Sequence, residues 1–218
     1  YYEAHYTRLG LEKEVDWTQR VMDNPDSVPE KLSAFSDIIM ERYNLRLLPK
    51  VSKKELYRYG RALFDSYNRS FVPLFCFSPI TEKEREGVLK QFIPMVRQEL
   101  LALVLDKDDN IAAFAITVPS IAKALNRAKG KLLPFGLFHI TRALKRFDTI
   151  EMYMIGVAPE YQKKGLNAII FNRLNTQFLK YGVRRVITNP QLDSNTAVTR
   201  LFDYYPMAPY MRRRCLVK

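Results

Sequence analysis

Cysteine, histidine and tryptophan are scarce in this sequence of 218 residues, which contains 2 Cys, 2 His and 1 Trp. The two cysteines, Cys76 and Cys215, stand in apolar surroundings and form neither a disulfide framework nor a zinc motif, so we expect buried free thiols. His5 and His139 lie far apart and have no Cys or carboxylate at the spacing of metal ligands. The sequence therefore predicts no metal site.

Long apolar runs are also missing. No run reaches the ~18 residues of a membrane-spanning helix, and the first residues do not resemble a signal peptide. Hydrophobic residues make up 47% and charged residues 27% of the chain, which is typical of a soluble globular protein. We therefore expect a cytoplasmic protein. Because the sequence begins with Tyr1 and not with Met, we interpret it as an excised or processed piece of a longer chain.

Positive charge is in excess, with a net charge of +12 and a pI near 9.7. Such an excess favours an anionic partner, such as nucleic acid, a phosphorylated ligand or a lipid surface, or it serves only solubility. Residues 119–147, the basic insert, contain seven cations and no acid: Lys123, Arg127, Lys129, Lys131, Arg142, Lys145 and Arg146. Few aromatic residues alternate with these cations, which argues against single-stranded nucleic acid as the partner.

Apolar residues in the basic insert recur at helical spacing, at Ile121 and Leu125 and again at Phe138 and Leu144. We expect a helical lid whose apolar face covers a binding site beside it. Its cations would attract an anionic ligand, an acidic carrier protein or a membrane surface. The alternative is a solvated pair of helices that has only a packing role.

Periodic patterns from residue 45 onward predict the order β-α-α-β-β-insert-β-α-β-α-β. This order mixes hairpin and crossover connections, so it predicts an α/β protein with a mixed sheet and helices on its faces. The strand at 150–157 is nearly continuous in apolar residues, which is typical of a central strand. The predicted strands are 14–21, 45–48, 100–105, 111–118, 150–157, 185–188 and 210–217, and the predicted helices are 29–42, 52–68, 81–99, 163–181 and 195–205.

The segment from Val157 to Asn167 joins an apolar strand to an amphipathic helix. The N-terminus of a helix has unpaired N–H groups and a partial positive charge, which suit a phosphate. Gly165 would let the backbone approach a ligand closely, and Lys163 and Lys164 add positive charge. A plain strand-to-helix turn is the alternative, because a Gln-x-x-Gly tetrapeptide is a weak signal by itself.

In its setting, this segment resembles the pyrophosphate-binding motif of the GNAT superfamily of acetyltransferases, (Gln/Arg)-x-x-Gly-x-(Gly/Ala). The resemblance implies a mostly antiparallel mixed sheet with helices on both faces and a splayed pair of central strands. It also implies acetyl-CoA or a longer acyl-CoA as co-substrate, and no metal. The pyrophosphate of CoA would contact Gln162, Lys163, Lys164, Gly165, Leu166 and Asn167, and its pantetheine would lie along Ile155, Gly156 and Val157, where a backbone N–H would polarise the thioester carbonyl.

Two positions depart from the family pattern. Asn167 stands where the family has its final Gly or Ala, which implies a looser contact with the pyrophosphate. Asn195 begins a segment that resembles the Asn-led segment of the family, and we assign Asn195 to the cofactor site. Seven residues later the family often has a Tyr that protonates the leaving thiolate, but here the residue is Phe202. Tyr204 and Tyr205 are the nearby candidates for this acid.

Glu151 interrupts an apolar strand, where an ionised carboxylate is costly unless it has a partner. It stands eleven residues before Gln162, the spacing at which the histone-acetyltransferase branch of the family carries its general-base Glu. The resemblance implies that Glu151, through water, takes a proton from an attacking amine. No residue resembles an activated nucleophile, so we expect direct transfer without a covalent acyl-enzyme. The alternative is a structural carboxylate at the exposed strand end or in an ion pair.

The stretch from Tyr6 to Leu11 resembles the Tyr-x-x-x-Gly-Phe sequence that closes many GNAT domains. We therefore divide the chain into residues 1–44, an N-terminal extension or the tail of a preceding GNAT unit, and residues 45–218, an acyltransferase domain that contains the basic insert. The expected function is N-acyl transfer from acyl-CoA to a small-molecule or lipid-like amine. The alternatives are a catalytically degenerate GNAT fold that binds acyl-CoA or a partner, and a module that binds anionic surfaces.

Overall fold

A computed structural model describes residues 1–93, 96–195 and 205–218. The helices among these residues are α1 (Tyr2–Arg8), α2 (Glu30–Arg42), α3 (Lys53–Phe71), α4 (Glu82–Phe92), α5 (Ala122–Arg127), α6 (Gly136–Lys145) and α7 (Asn167–Lys180). The strands are β1 (Glu12–Asp23), β2 (Arg46–Leu47), β3 (Leu101–Leu105), β4 (Ile111–Pro119), β5 (Thr149–Val157), β6 (Arg185–Ile187), β7 (Gln191–Leu192) and β8 (Ala208–Val217).

Helices α3 and α4 begin at the capping boxes that the sequence contains. The hydroxyl of Ser52 accepts a hydrogen bond from the backbone of Glu55, and the Glu55 carboxylate accepts one from the backbone of Ser52. Thr81 and Glu84 make the same reciprocal pair at the start of α4. Helix α4 ends at Phe92, earlier than the predicted residue 99, because Pro94 has no N–H with which to continue the helical hydrogen bonds.

The strands form one sheet in the order β2-β3-β4-β5-β6-β1-β7, and β8 pairs with β1. The neighbouring strands described are antiparallel except β5 and β6, which are parallel. This parallel pairing joins only residues 149–151 to residues 185–187. Beyond it β6 ends, whereas β5 continues to Val157. The mixed, mostly antiparallel sheet and the splayed central pair are therefore confirmed.

Strand β5 is packed on both faces, as its apolar sequence predicts. Ile150, Met152 and Ile155 belong to the main core, which α2 and α7 cover. Met154 packs on the other face against a second cluster from α3, β3 and β4, in which Phe114 is fully buried. Helices therefore cover both faces of the sheet, and β5 lies at its centre.

The segment 1–44 contributes to the same sheet and core as the rest of the chain. Strand β1 lies inside the sheet, with β6 and β7 along one edge and β8 along the other. Helix α2 packs against α7 and adds Ile39 to the main core. The sequence predicts a strand at 14–21 but not this central place, because only contacts with residues far along the chain reveal it.

Three local features differ from what the sequence predicts, and a fourth prediction is not tested. Cys76 is exposed and Cys215 is partly buried, so neither is the fully buried thiol expected; Cys76 has a φ of 55°, which places it in a turn. Helix α7 begins at Asn167 and not at residue 163, because Lys163 and Gly165 have φ values of 62° and 82° and cannot belong to a right-handed helix. The short β7 was not predicted. The predicted helix 195–205 lies largely outside the described residues.

Asp16 of β1 and Arg214 of β8 form a cross-strand ion pair. They are partners in the strand register, and the guanidinium donates to both carboxylate oxygens at 2.8 and 3.0 Å. The Asp16 side chain is only 2% exposed, and Lys13 lies 3.3 Å from it. Hydrogen bonds from Arg214 hold the pKa of Asp16 well below its usual value, at about 2. This ion pair therefore links β1 to β8, the first and last strands of the chain.

We expect Asp16→Asn to lower the melting temperature at pH 7, because the variant loses the carboxylate that binds Arg214. A depressed pKa stabilises the folded state above the ordinary carboxyl pKa of about 4. This contribution is lost as the pH falls towards about 2. The difference in melting temperature between parent and variant should therefore shrink between pH 4 and pH 2. Asp26→Asn, at an exposed position, is the control. A difference that stays constant with pH would contradict this account.

Candidate active site

The gap beside β5 opens where its pairing with β6 stops. The N–H of Ala158 binds the carbonyl of Ala112 at 2.9 Å, on the β4 side. Because successive backbone groups of a strand point to alternate edges, the N–H groups of Val157 and Ile155 point away from β4. The carbonyl of Val157 also points away from β4, since it accepts hydrogen bonds from the side chains of Ser70 (3.2 Å) and Gln162 (3.4 Å). The strand thus presents backbone donors to the gap.

The turn after β5 leaves a group of backbone donors free. Among the described residues, the N–H groups of Lys163, Gly165, Leu166 and Asn167 have no hydrogen-bond acceptor. No side chain caps α7, in contrast to α3 and α4. Positive φ values at Lys163 and Gly165 before a right-handed Leu166 are typical of a backbone nest, which binds anions. This group of donors, the amide cradle, can hold a phosphate.

Two features favour glycine at position 165: its left-handed backbone conformation and its close approach to a neighbouring helix. A Cβ atom at this position would lie 3.1 and 3.2 Å from two ring atoms of Phe35 and 3.4 Å from the Cδ1 of Ile39, both on α2. The sequence predicts that Gly165 serves the approach of a ligand, and that stays a prediction. Its contact with α2 fixes the turn against the main core, and no local pattern could have shown this contact.

The two lysines of the turn differ in their surroundings. Lys164 Nζ lies 5.2 Å from the ring centres of both Tyr43 and Tyr161, so its ammonium group makes cation–π contacts with the two rings. Lys163 is exposed and has no carboxylate within 4.0 Å in the part of the chain that the structure describes. The side chain of Gln162 folds back onto the Val157 carbonyl and therefore supports the turn. Of the two lysines, Lys163 therefore has the ammonium group that is more accessible to a ligand at the amide cradle.

Asn167, the departure from the family pattern, begins α7 at the amide cradle. Its Oδ1 is buried and has no hydrogen-bond partner among the described residues. Such an oxygen is costly to bury, and a half-turn of the amide would put the NH2 donor in its place. A bound anion would accept from that donor. Asn167 therefore belongs to the cradle by position, and a contact of its side chain with CoA stays a prediction.

Glu151 lies at the last pair before the gap. Its partner across the parallel pairing is Ile187, and its half-buried carboxylate accepts a hydrogen bond of 2.6 Å from the hydroxyl of Ser120. No Lys or Arg among the described residues forms an ion pair with it, so the ion-pair alternative is not observed there. Sequence reasoning missed Ser120, since only the pairing of Val118 with Glu151 brings them together. One oxygen of Glu151 is oriented and the other can accept a proton.

The candidate acids and Asn195 are described only in part. Tyr204 and Phe202 lie outside the described residues. Tyr205 packs on Phe171 of α7, its hydroxyl accepts a 3.0 Å bond from Asn175, and burial raises its pKa. Asn195 follows β7, and its N–H binds the carbonyl of Leu192 at 2.9 Å. The roles of Tyr205 and Asn195 stay predictions.

The basic insert contains α5 and α6, as its spacing predicts. However, Leu125 and Phe138, which were expected to cover the site, are 40% and 63% exposed. Helix α5 has only 6 residues, so one short face cannot bury the whole apolar row. The lid over the acyl or acceptor site therefore stays a prediction. An anionic partner of the basic insert stays a prediction.

No group of three or more His, Cys, Asp or Glu within residues 1–93, 96–195 and 205–218 is arranged to hold a metal ion. In the same ranges, every helix is too short or too polar to cross a membrane.

Comparison with known proteins agrees with this geometry. The model of the "Acetyltransferase (GNAT) family" matches residues 61–203, which include Glu151 and the amide cradle. Protein YghO of Escherichia coli (strain K12) is 24% identical over 228 residues, a match that covers 100% of this chain and 57% of YghO.

Two solved structures share the fold. One is the GCN5-related N-acetyltransferase from Sphaerobacter thermophilus, with a TM-score of 0.62, 14% identity, and coverage of 98% of this chain and 54% of that one. The other is a tandem GNAT protein from the clavulanic acid biosynthesis pathway, with a TM-score of 0.56, 11% identity, and coverage of 97% and 56%. This chain therefore spans little more than half the length of these proteins. The family model matches well over half of the sequence and the fold agrees with it, so the chain belongs to the GNAT acetyltransferase family.

Proposed function

We propose that this protein transfers an acyl group from a CoA thioester directly to the amine of a small-molecule or lipid-like acceptor. The observation that carries the proposal is the arrangement along β5. A candidate base lies where the gap begins, backbone donors line the gap, and an amide cradle follows the strand. Membership of the family supports acyl transfer in general.

The residues present fit CoA in two respects. The free N–H groups of Lys163, Gly165, Leu166 and Asn167 suit a pyrophosphate, because unpaired donors at a helix N-terminus bind anions. The open edge of β5 would hold the amides of pantetheine in place of a neighbouring strand. Lys163 would add an exposed positive charge.

When bound, acyl-CoA supplies the acyl group in an activated thioester. The N–H groups of Ile155 and Val157 would stabilise negative charge on an acyl oxygen that lies in the gap. Glu151, oriented by Ser120, would accept the proton that the amine loses as its nitrogen bonds to the acyl carbon. The thiolate leaves with a proton from an acid, for which Tyr205 is a candidate because burial keeps its phenol protonated.

Asn167→Asp tests the amide cradle. The substitution keeps the shape of the side chain and favours the start of α7, because a negative charge stabilises a helix N-terminus. It should nevertheless repel the pyrophosphate and weaken CoA binding at least about tenfold, or ~1.4 kcal/mol. Isothermal titration calorimetry with CoA measures this change. Gly165 is a poorer position for the test, since any Cβ there would meet Phe35.

Asn172→Asp is the matched control for the cradle, because it adds the same charge farther along α7. It should bind CoA as the parent does. If Asn167→Asp also binds CoA with the affinity of the parent, the pyrophosphate does not lie at this turn.

Glu151→Gln tests the proposed base. We expect the acyl-transfer rate to fall by about 10² to 10⁴, equivalent to ~3 to 5 kcal/mol of barrier, while the dissociation constant of CoA stays the same. Ser120→Ala should lower the rate less, since it only frees the carboxylate that Ser120 orients. Glu30→Gln, at an exposed position, controls for the loss of one negative charge. An unchanged pH–rate profile in Glu151→Gln would show that the carboxylate is structural.

A catalytically degenerate fold that only binds acyl-CoA is the second candidate. The two departures from the family pattern, Asn167 in place of Gly or Ala and Phe202 in place of Tyr, favour it. Measurable turnover of any amine by the parent protein would exclude this candidate.

A further inference from the structure

A cavity of about 720 Å³ lies between the basic insert and the paired ends of β5 and β6. Its lining contains one carboxylate, Asp148, and also His139 and Tyr210. Six cations line it as well: Lys123, Arg127, Arg142, Lys145, Arg146 and Arg185. We name it the basic cavity.

Most of this positive charge has no acidic partner among the described residues. Lys123 lies 3.5 Å from Asp148, and Arg185 lies 4.0 Å from Asp23. The other four cations have no carboxylate within 4.0 Å among the residues that the structure describes. Like charges around one cavity repel each other, and a multivalent anion would relieve this repulsion.

The basic cavity opens beside the candidate base. Ile150 and Val186 both point into the main core, so the next pair, Glu151 and Ile187, faces the opposite side of the sheet. Thr149 and Ile187 line the cavity on that side. Ser120 does so too and also donates to Glu151. A molecule whose amine reaches Glu151 from this direction would have its remaining groups in the basic cavity.

The wall of the cavity is fixed to the core. Arg97 donates to the carbonyl of Leu144 at 3.3 Å, and its guanidinium lies 5.4 and 5.0 Å from the ring centres of Phe147 and Tyr181. The backbone of Ser120 binds the carbonyl of Thr149 at 2.9 Å. These contacts hold both ends of the basic insert in place, so the backbone that carries its exposed cations is fixed beside the cavity.

We propose that the basic cavity binds the phosphate of the acceptor, so that the substrate is an amine that also carries a phosphate group. This proposal rests on the proposed acyl-transfer function. Four of the six cations are arginines, whose planar guanidinium groups match phosphate oxygens with two parallel hydrogen bonds. A phosphate also carries more negative charge than a single carboxylate, and therefore suits an uncompensated group of cations.

The phosphate belongs to a soluble aminoalkyl phosphate or to the headgroup of an aminophospholipid. The loop between α5 and α6 exposes Leu132, Leu133 and Phe135, the last two by 76% and 69%. Apolar side chains next to cations are typical of proteins that lie on a lipid surface, and they favour the headgroup.

Phosphoethanolamine and ethanolamine form the first pair of probes, since they differ only in the phosphate. Calorimetry should show that the parent protein binds phosphoethanolamine at least tenfold more tightly than ethanolamine. The double variant Arg142→Gln/Arg146→Gln should lose this preference. Lys129→Gln/Lys131→Gln removes the same charge from the insert outside the cavity lining and should keep it. Equal binding of the two amines by the parent, or an unchanged preference in the arginine variant, would overturn the proposal.

Turnover provides the second measurement and separates the two proposals. With acetyl-CoA or a longer acyl-CoA, kcat/KM should be higher for phosphoethanolamine than for ethanolamine, and the arginine variant should raise KM for the former while CoA affinity stays the same. If phosphoethanolamine binds in an arginine-dependent manner but no amine is acylated, the acyl-transfer function fails and the phosphate site stands. If ethanolamine is acylated as efficiently as phosphoethanolamine, the acyl-transfer function stands and the phosphate site fails.

Vesicles identify the source of the phosphate. Phosphatidylcholine vesicles with and without phosphatidylethanolamine are incubated with protein and acyl-CoA, and the lipids are analysed by mass spectrometry. An N-acylated lipid, reduced in the arginine variant and not in the lysine control, supports a headgroup. Acylation of soluble phosphoethanolamine alone supports a free aminoalkyl phosphate.

Discussion

The separation of β5 from β6 after the pair Glu151–Ile187 is the constraint on which the candidate site depends. If the pairing continued, the open edge of β5 would be filled and no extended ligand could lie against it. Strand β5 keeps its shape without this neighbour because β4 pairs with it along its other edge and helices pack on both of its faces. The backbone groups left open in the gap must bind water or a ligand, since unpaired polar groups are costly to bury.

Local patterns were enough to predict the elements that carry the site. The apolar run of β5, the turn and the amphipathic α7 are continuous in sequence, and the capping boxes marked α3 and α4 correctly. The remaining features depend on distant residues. Ser120 meets Glu151 only through the strand register, and Gly165 meets Phe35 only through helix packing. The exposure of Leu125 and Phe138 could not be predicted either, because spacing shows an apolar face but not what covers it.

The two proposed anion sites lie near opposite ends of β5 and differ in their chemistry. The amide cradle follows the C-terminal end and uses backbone donors, whereas the basic cavity borders the N-terminal end and uses side-chain cations. The strand of 9 residues that lies between them is roughly 26 Å long. Dissolved salt screens exposed side-chain charges, with a Debye length of ~8 Å at physiological ionic strength, but affects short backbone hydrogen bonds much less. Binding in the basic cavity should therefore weaken more with added salt than binding in the amide cradle.

The central place of β1 also affects how the protein is made. This strand leaves the ribosome well before its partners, which are residues 185–187, 191–192 and 208–217. Until those residues are synthesised, both edges of β1 lack their strands and Asp16 lacks Arg214. Pairings between residues so far apart form slowly, and unpaired edges are prone to aggregation. The nascent chain therefore depends on late closure of its sheet, and chaperones that shield extended segments should matter more for its yield than for that of a protein folding from its N-terminus.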